Sequence, residues 1–263
     1  MQDLSLSFIQ SSIHWEDKSA NLDHLGSLID RILIPTDIIL LPEMFSTGFS
    51  MHAPALAESM DGNTILWMLA KAKAKNALVI GSLIIKANEN YFNRLVVAGP
   101  QGVIGHYDKR HTFSMADEDQ TYTRGAQALI FEWKGWKIRP FVCYDLRFPV
   151  WARNRYSDTT GWDYDLAVYV ANWPASRARA WKSLALARAI ENQCYVATLN
   201  RVGIDDLGLE YQGDSQLINS YGEVLLHLGN EEIIQTKVLD KSLLTDHRKI
   251  FPVGRDADGF EIR

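Results

Sequence analysis

Cysteine is nearly absent: the chain has two in 263 residues, Cys143 and Cys194, with no CxxC spacing. That excludes a disulfide scaffold and a thiolate zinc or redox motif, and leaves free thiols as the expectation. Long apolar runs are missing as well. Nowhere do about 18 apolar residues follow one another, the length a membrane-spanning helix needs. The opening string MQDLSLSFIQ lacks the basic segment and long apolar stretch of a secretory leader. A soluble, cytoplasmic protein with no membrane partner is expected. Positive charge is scarce: 27 Lys and Arg face 32 Asp and Glu, giving a net charge of −5 with the cations scattered along the chain. No basic stripe exists for a nucleic-acid backbone, so a nucleic-acid partner is not expected. HExxH, HxxxH, Walker A and GxGxxG strings are all missing, which leaves zinc and nucleotide-phosphate sites unsupported.

What is present is ordinary globular material, 47% hydrophobic and 22% charged. Strand-like and helix-like segments recur at similar spacing, and no linker, repeat or run of like charge divides them. A single domain over 1–263 follows. Leu4 to Ile13 alternates like a half-buried strand, and the apolar positions of Ala20 to Leu33 fall at helical intervals. Asp37 to Leu41 is a continuous apolar run stopped by Pro42, as expected of a strand covered on both faces. A helix is expected over 64–75, and strands over 77–85, 92–98, 102–107, 128–133 and 136–143. Beyond these come a strand over 166–170, a helix over 177–193 and strands over 195–200, 215–219, 223–227 and 233–239, then a polar tail.

Three of these strands end on reactive side chains. Glu43 follows the run at 37–41, Lys109 follows the strand ending at Tyr107, and Cys143 ends the strand from Trp136. A thiol attacks an acyl carbon only as thiolate, and a free cysteine with pKa near ~8.5 is largely protonated at neutral pH. Glu43 could take its proton, and Lys109 would offset the repulsion between carboxylate and thiolate. The same ammonium could hold the oxyanion of a tetrahedral intermediate. Taken singly, each residue also fits a plain role: a packed cysteine, a solvated strand end, an exposed charged turn. Cys194 takes the packing role. A phosphate-binding cysteine loop is excluded because Pro149 stands where its arginine belongs, and none of the seven histidines has a context that marks a Cys–His dyad.

The strings LLPEMF, YDKRH and CYDLRFP together resemble the nitrilase, or carbon–nitrogen hydrolase, superfamily, whose catalytic Glu, Lys and Cys occur in this order in similar settings. ANWP at 171–174, ARAIENQ at 187–193 and GDSQLINSYGE at 213–223 extend the likeness over nearly the whole chain. MADE, WKGWKI, CYDLRFPVWARN, YVANWPA and RAIENQ are similar to its bacterial omega-amidase branch, which hydrolyses the terminal amide of 2-oxo acids. The resemblance implies an α/β fold, a four-layer αββα sandwich, paired into a homodimer and using neither metal nor organic cofactor. It implies a Cys143 thioester, a small amide and water as reactants, and Glu118, between Asp117 and Asp119, as a second glutamate bonded to Lys109. Other C–N substrates of the same chemistry (an N-carbamoyl amine, a deaminated peptide, a nitrile) and a non-catalytic homologue are the alternatives. Phe45, Met115, Tyr144 and Trp173 lie in or beside the motif strings and are expected to wall a small pocket. Arg147 is expected to be structural, and Arg188, Glu191 and Asn192 to serve helix packing or a dimer contact. The group that binds the substrate carboxylate stays open among Arg147, Arg177, Arg179 and a backbone nest.

Overall fold

The structure is a computed structural model that describes residues 2–262. Its first half runs β1 (Leu4–Gln10), α1 (Lys18–Asp30), β2 (Ile38–Leu40), α2 (Ala53–Leu56), α3 (Asn63–Lys75), β3 (Leu78–Ala87), β4 (Asn90–Gly99), β5 (Gly102–Asp108) and α4 (Glu118–Thr121). Then come β6 (Phe131–Trp133), β7 (Trp136–Val142), α5 (Pro149–Ala152), β8 (Tyr156–Ser157), β9 (Gly161–Trp162), β10 (Leu166–Ala171) and α6 (Ala178–Asn192). The chain finishes with β11 (Tyr195–Asn200), β12 (Val202–Ile204), β13 (Glu210–Gln212), β14 (Gln216–Ile218), β15 (Val224–His227), β16 (Ile233–Leu239) and α7 (Lys241–Ile250).

Two six-stranded sheets form the middle layers, in the orders β16-β1-β2-β3-β4-β5 and β15-β14-β11-β10-β7-β6. The period of two in a strand sorts the first sheet's side chains into two layers. Leu6, Phe8, Ile38, Leu40, Leu78, Ile80, Leu95 and Val97 join the second sheet's Phe141, Val168 and Val170 in one buried cluster. Their neighbours Ile39, Val79, Val96 and Ala98 turn the other way, onto Leu25, Ile29, Ile65 and Met68 of α1 and α3. On the far side α6 packs over β11 and β14, completing an αββα sandwich. No helix among the described residues is long and apolar enough to cross a membrane.

Local chemistry sets the boundaries. Asp17 caps α1 by accepting from Ala20 N at 3.0 Å, and α3 and α6 end on Asn76 and Gln193 in the left-handed region. The last segment differs from the expected polar tail, for residues 241–250 are helical. Asp240 caps this helix through Ser242 N and Leu243 N, and only Leu244 and His247 are buried along it. Leu243, Leu244 and His247 fall on one face at helical spacing, but the polar letters between them dominate the composition of the segment.

Candidate active site

The reactive side chains sit at the ends of strands from both sheets. Glu43 and Lys109 follow β2 and β5 of one sheet, and Cys143 and Asn172 follow β7 and β10 of the other. Each turn is sharp. Met44 next to Glu43, Asp117 next to Glu118, and Cys143 itself have φ of +44°, +55° and +43°. A non-glycine residue in that region costs on the order of 1 kcal/mol or more, and such strain collects at functional sites. The Lys109 turn depends on contact with Gly125, whose N–H donates to Lys109 O at 2.9 Å. A Cβ on Gly125 would lie 2.0 Å from Asp108 O, so no side chain fits there.

Lys109 Nζ lies 2.8 Å from Glu43 Oε1 and 2.9 and 2.8 Å from the two oxygens of Glu118. All three residues are almost completely buried. Asn93 Nδ2 donates to both carboxylates, at 2.8 Å to Glu43 Oε1 and 3.1 Å to Glu118 Oε1. Asn172 holds Glu43 from the opposite sheet, its N–H 2.8 Å from Oε2 and its Nδ2 2.6 Å from the Glu43 carbonyl. Phe113 N donates to Glu118 Oε2. Cys143 Sγ lies 3.8 Å from Asn172 O.

A carboxyl beside the cysteine turn ties it to the lysine segment. Buried Asp145 accepts from Val142 N at 3.0 Å, Tyr107 Oη at 2.7 Å and His111 N at 3.1 Å, with His111 Nδ1 at 2.7 Å. Tyr107 and His111 flank Lys109, so one side chain fixes nucleophile and ammonium relative to each other.

Two carboxylates share one ammonium, and ionisation of the thiol would add a second uncompensated negative charge. Burial, then Glu43, pushes the Cys143 thiol well above its ordinary pKa, against the pull of Lys109. Burial draws the Lys109 ammonium down, but Glu118, Glu43 and Cys143 outweigh it and hold the proton more tightly than usual. Glu118 is raised, burial outweighing the pull of Lys109 with Glu43 adding to the rise. Burial and the neighbouring carboxylate thus both favour the neutral form of the Cys143 thiol.

Lys109 and Cys143 form the floor of a cavity of about 340 Å3. Tyr144 and Trp173 line it, where the sequence places them, together with Phe49, Phe113, Leu207 and Leu209. The other two expected wall residues are elsewhere. Phe45 is fully buried and packs against Trp67, with ring centroids 5.9 Å apart, in the layer beneath α3. The positive-φ turn at Met44 rotates it away from Glu43. Met115 is 77% exposed and absent from the lining, since Phe113 and Ala116 occupy that rim. Arg147, expected to be structural, borders the cavity with its guanidinium over Trp173 at 4.7 Å, and Arg177 borders it over Phe113 at 5.2 Å. Neither has a carboxylate partner among the described residues, and Arg179 lies outside the lining. Arg188, Glu191 and Asn192 hold α6 in place: Arg188 donates to Leu146 O and Glu191, and Asn192 Oδ1 accepts from Asn154 N.

The sequence reading missed Asn93, Asn172, Phe49 and the β12–β13 hairpin. Asn93 was detectable only as a polar residue in an apolar strand, and Asn172 as part of ANWP.

A buried thiol, two carboxylates and an ammonium at the end of a small cavity inside an αββα sandwich fit a hydrolase of carbon–nitrogen bonds. The chain matches the carbon-nitrogen hydrolase family over residues 5–249 and belongs to that family. It is 44% identical over 263 residues to the omega-amidase YafV of Escherichia coli K12, covering 100% of both chains. It is 32% identical over 255 residues to the 2-oxoglutaramate amidase of Bacillus subtilis, covering 96% of each. The crystal structure of XC1258 from Xanthomonas campestris, a CN-hydrolase superfamily protein with an arsenic adduct in its active site, superposes with a TM-score of 0.98 at 43% identity over 100% of both chains.

Proposed function

We propose that the enzyme is an omega-amidase that releases ammonia from the terminal amide of a small 2-oxo acid such as 2-oxoglutaramate. The observation that carries this reading is the pair of unpartnered guanidiniums, Arg147 and Arg177, on the wall of a cavity whose floor is Cys143 and Lys109. They supply cations for the substrate's single carboxylate while its amide lies at the thiol. Asp205 is the one acid in the lining, and its oxygens already accept from Leu207 N, Leu209 N and Tyr211 Oη. An α-ammonium, as in glutamine, would meet cations and no free carboxylate.

The chemistry is a double displacement. Glu43 takes the Cys143 proton as sulfur bonds to the amide carbon, and the carbonyl electrons move to oxygen, held by Lys109 and the N–H of Tyr144. Collapse of this intermediate breaks the C–N bond, and Glu43 protonates the departing nitrogen to give ammonia. Water then attacks the thioester with Glu43 accepting its proton, the C–S bond breaks, and the proton returns to sulfur. Glu118 keeps Lys109 charged and aimed.

The same reading makes the enzyme a cytoplasmic homodimer acting on a small amide and water. Val150 of α5 and Ile190 of α6 are exposed apolar residues available to such a pairing, and light scattering on the purified protein would give one subunit mass if it is absent.

The deciding assay is ammonia release from 2-oxoglutaramate, glutamine, an N-carbamoyl amine and a nitrile, with Cys143→Ala as blank. Release from the 2-oxo amide alone, lost in the variant, supports the proposal. Cys143-dependent turnover of a different substrate would move the branch, and silence on all four would favour a non-catalytic homologue.

A further inference from the structure

We propose that Asn93 is a positioning residue that selects which oxygen of Glu43 receives the thiol proton, an inference that rests on the Glu43–Cys143 chemistry above. Asn93 lies on β4, is 2% exposed and does not border the cavity, so it is out of reach of substrate.

Its orientation is fixed by a chain of donors. Met44 N donates to Ser82 Oγ at 2.9 Å, and because the other end of the Asn93 amide faces two carboxylates that only accept, the Ser82 hydroxyl donates onward to Asn93 Oδ1 at 2.8 Å. That leaves the two Nδ2 hydrogens for the carboxylates, one for Glu43 Oε1 and one for Glu118 Oε1. Glu43 Oε1 then holds two donors, Lys109 Nζ and Asn93 Nδ2, and both its lone pairs are engaged. Glu43 Oε2 holds only the N–H of Asn172, whose carbonyl is the group beside Cys143 Sγ. The free lone pair is thus on the oxygen next to the thiol side of the site. Asn93 is the neutral member of this arrangement. A carboxylate there would add a third negative charge to one ammonium, and an alkyl group would leave Oε1 open to protonation in the wrong place. The other ionisable groups that act on the two carboxylates are Lys109, Cys143, the Tyr122 phenol, which donates to Ser50 O, and the Tyr211 phenol, which donates to Asp205 Oδ2.

The test is the pH dependence of Cys143 alkylation by iodoacetamide, followed at the Cys143 peptide by mass spectrometry so that buried Cys194 does not interfere, in Asn93→Ala and Asn93→Asp. Losing a hydrogen bond to each ionised carboxylate moves the acid limb of the profile upward by about one pH unit, and further in the Asp variant. On whichever amide the wild-type enzyme turns over, kcat falls about tenfold or more while KM stays within about twofold, because the residue acts on proton transfer and not on binding. An unshifted limb in a variant that retains wild-type circular dichroism would overturn the proposal, as would a change confined to KM. If the Asp variant does not fold, the Ala variant, with room for water, decides alone. Alkylation needs no substrate, so a shifted limb without turnover of 2-oxoglutaramate would sink the omega-amidase reading and keep this one.

Discussion

Lys109 is asked to hold two carboxylates while almost completely buried. Its contribution to folding is separable from its contribution to chemistry. Removing one partner from a buried ion set leaves uncompensated charge and typically costs roughly 3 to 5 kcal/mol, whereas neutralising the whole set is often tolerated. Lys109→Met should therefore lower the urea midpoint sharply and abolish turnover. Adding Glu43→Gln and Glu118→Gln to it should restore most of the midpoint and none of the activity. A triple variant no more stable than the single one would show that these groups do not act as one electrostatic unit. The three main residues were legible in the sequence because each breaks an apolar strand with a reactive group. Their asparagine partners were not: Asn93 and Asn172 reach Glu43 across 50 and 129 positions of chain, and no local pattern records that. Phe45 misled because adjacency in sequence says nothing about the direction of a side chain after a positive-φ residue, here Met44, and Met115 because it lies on the outer face of a short 3-10 turn.

Among the elements, α7 shows how an unforecast helix is held. Buried Asp165, just before β10, accepts from Arg248 Nη1 and Lys241 Nζ of α7, each at 2.6 Å, and from Lys137 N at 3.0 Å. Burial raises the Asp165 carboxyl, but Arg248 and Lys241 outweigh it, so the folded-state pKa lies below the ordinary one. A depressed carboxylate contributes stability that is fully present above the unfolded pKa, about 3.9, and is lost as pH falls through the folded value. Asp165→Asn should thus be less stable than wild type by roughly 3 kcal/mol near neutrality. The two stability curves should begin to approach each other as pH falls below about 4 and meet only below the depressed folded-state pKa, where Asp165 is itself neutral. Parallel curves across the pH range would mean that the charge is not what docks the helix. The cap is a smaller effect: Asp240→Ala should cost about 1 kcal/mol, read as a lower melting temperature. The sandwich strands, by contrast, were read from alternation and apolar runs because burial between layers dictates those letters directly, while α7 shows only Leu243, Leu244 and His247 on its inner face amid polar letters and is docked by ion pairs as well.

At the scale of the whole molecule the site belongs to neither sheet. Glu43 stays in place partly through the N–H and side-chain amide of Asn172, and Lys109 reaches the Cys143 turn through Tyr107, His111 and the Asp145 carboxylate. Each link crosses from one sheet to the other, so Glu43 and Cys143 meet only when the sandwich is closed. The layers themselves share a continuous buried cluster running from Leu6 and Leu40 to Phe141 and Val170, and a core common to both sheets gives no seam at which one could open alone. Catalysis and fold should therefore be lost together. In urea, ammonia release assayed without dilution out of denaturant, far-ultraviolet circular dichroism and the fluorescence of the eight tryptophans should trace one transition with one midpoint. If activity vanished at a denaturant concentration where the other two signals stood unchanged, the site would be held by local strand-end geometry. The crossing hydrogen bonds of Asn172 and Asp145 would then orient side chains without linking catalysis to closure of the sandwich. If the subunits pair, the common midpoint should also rise with protein concentration, because association stabilises only the folded form.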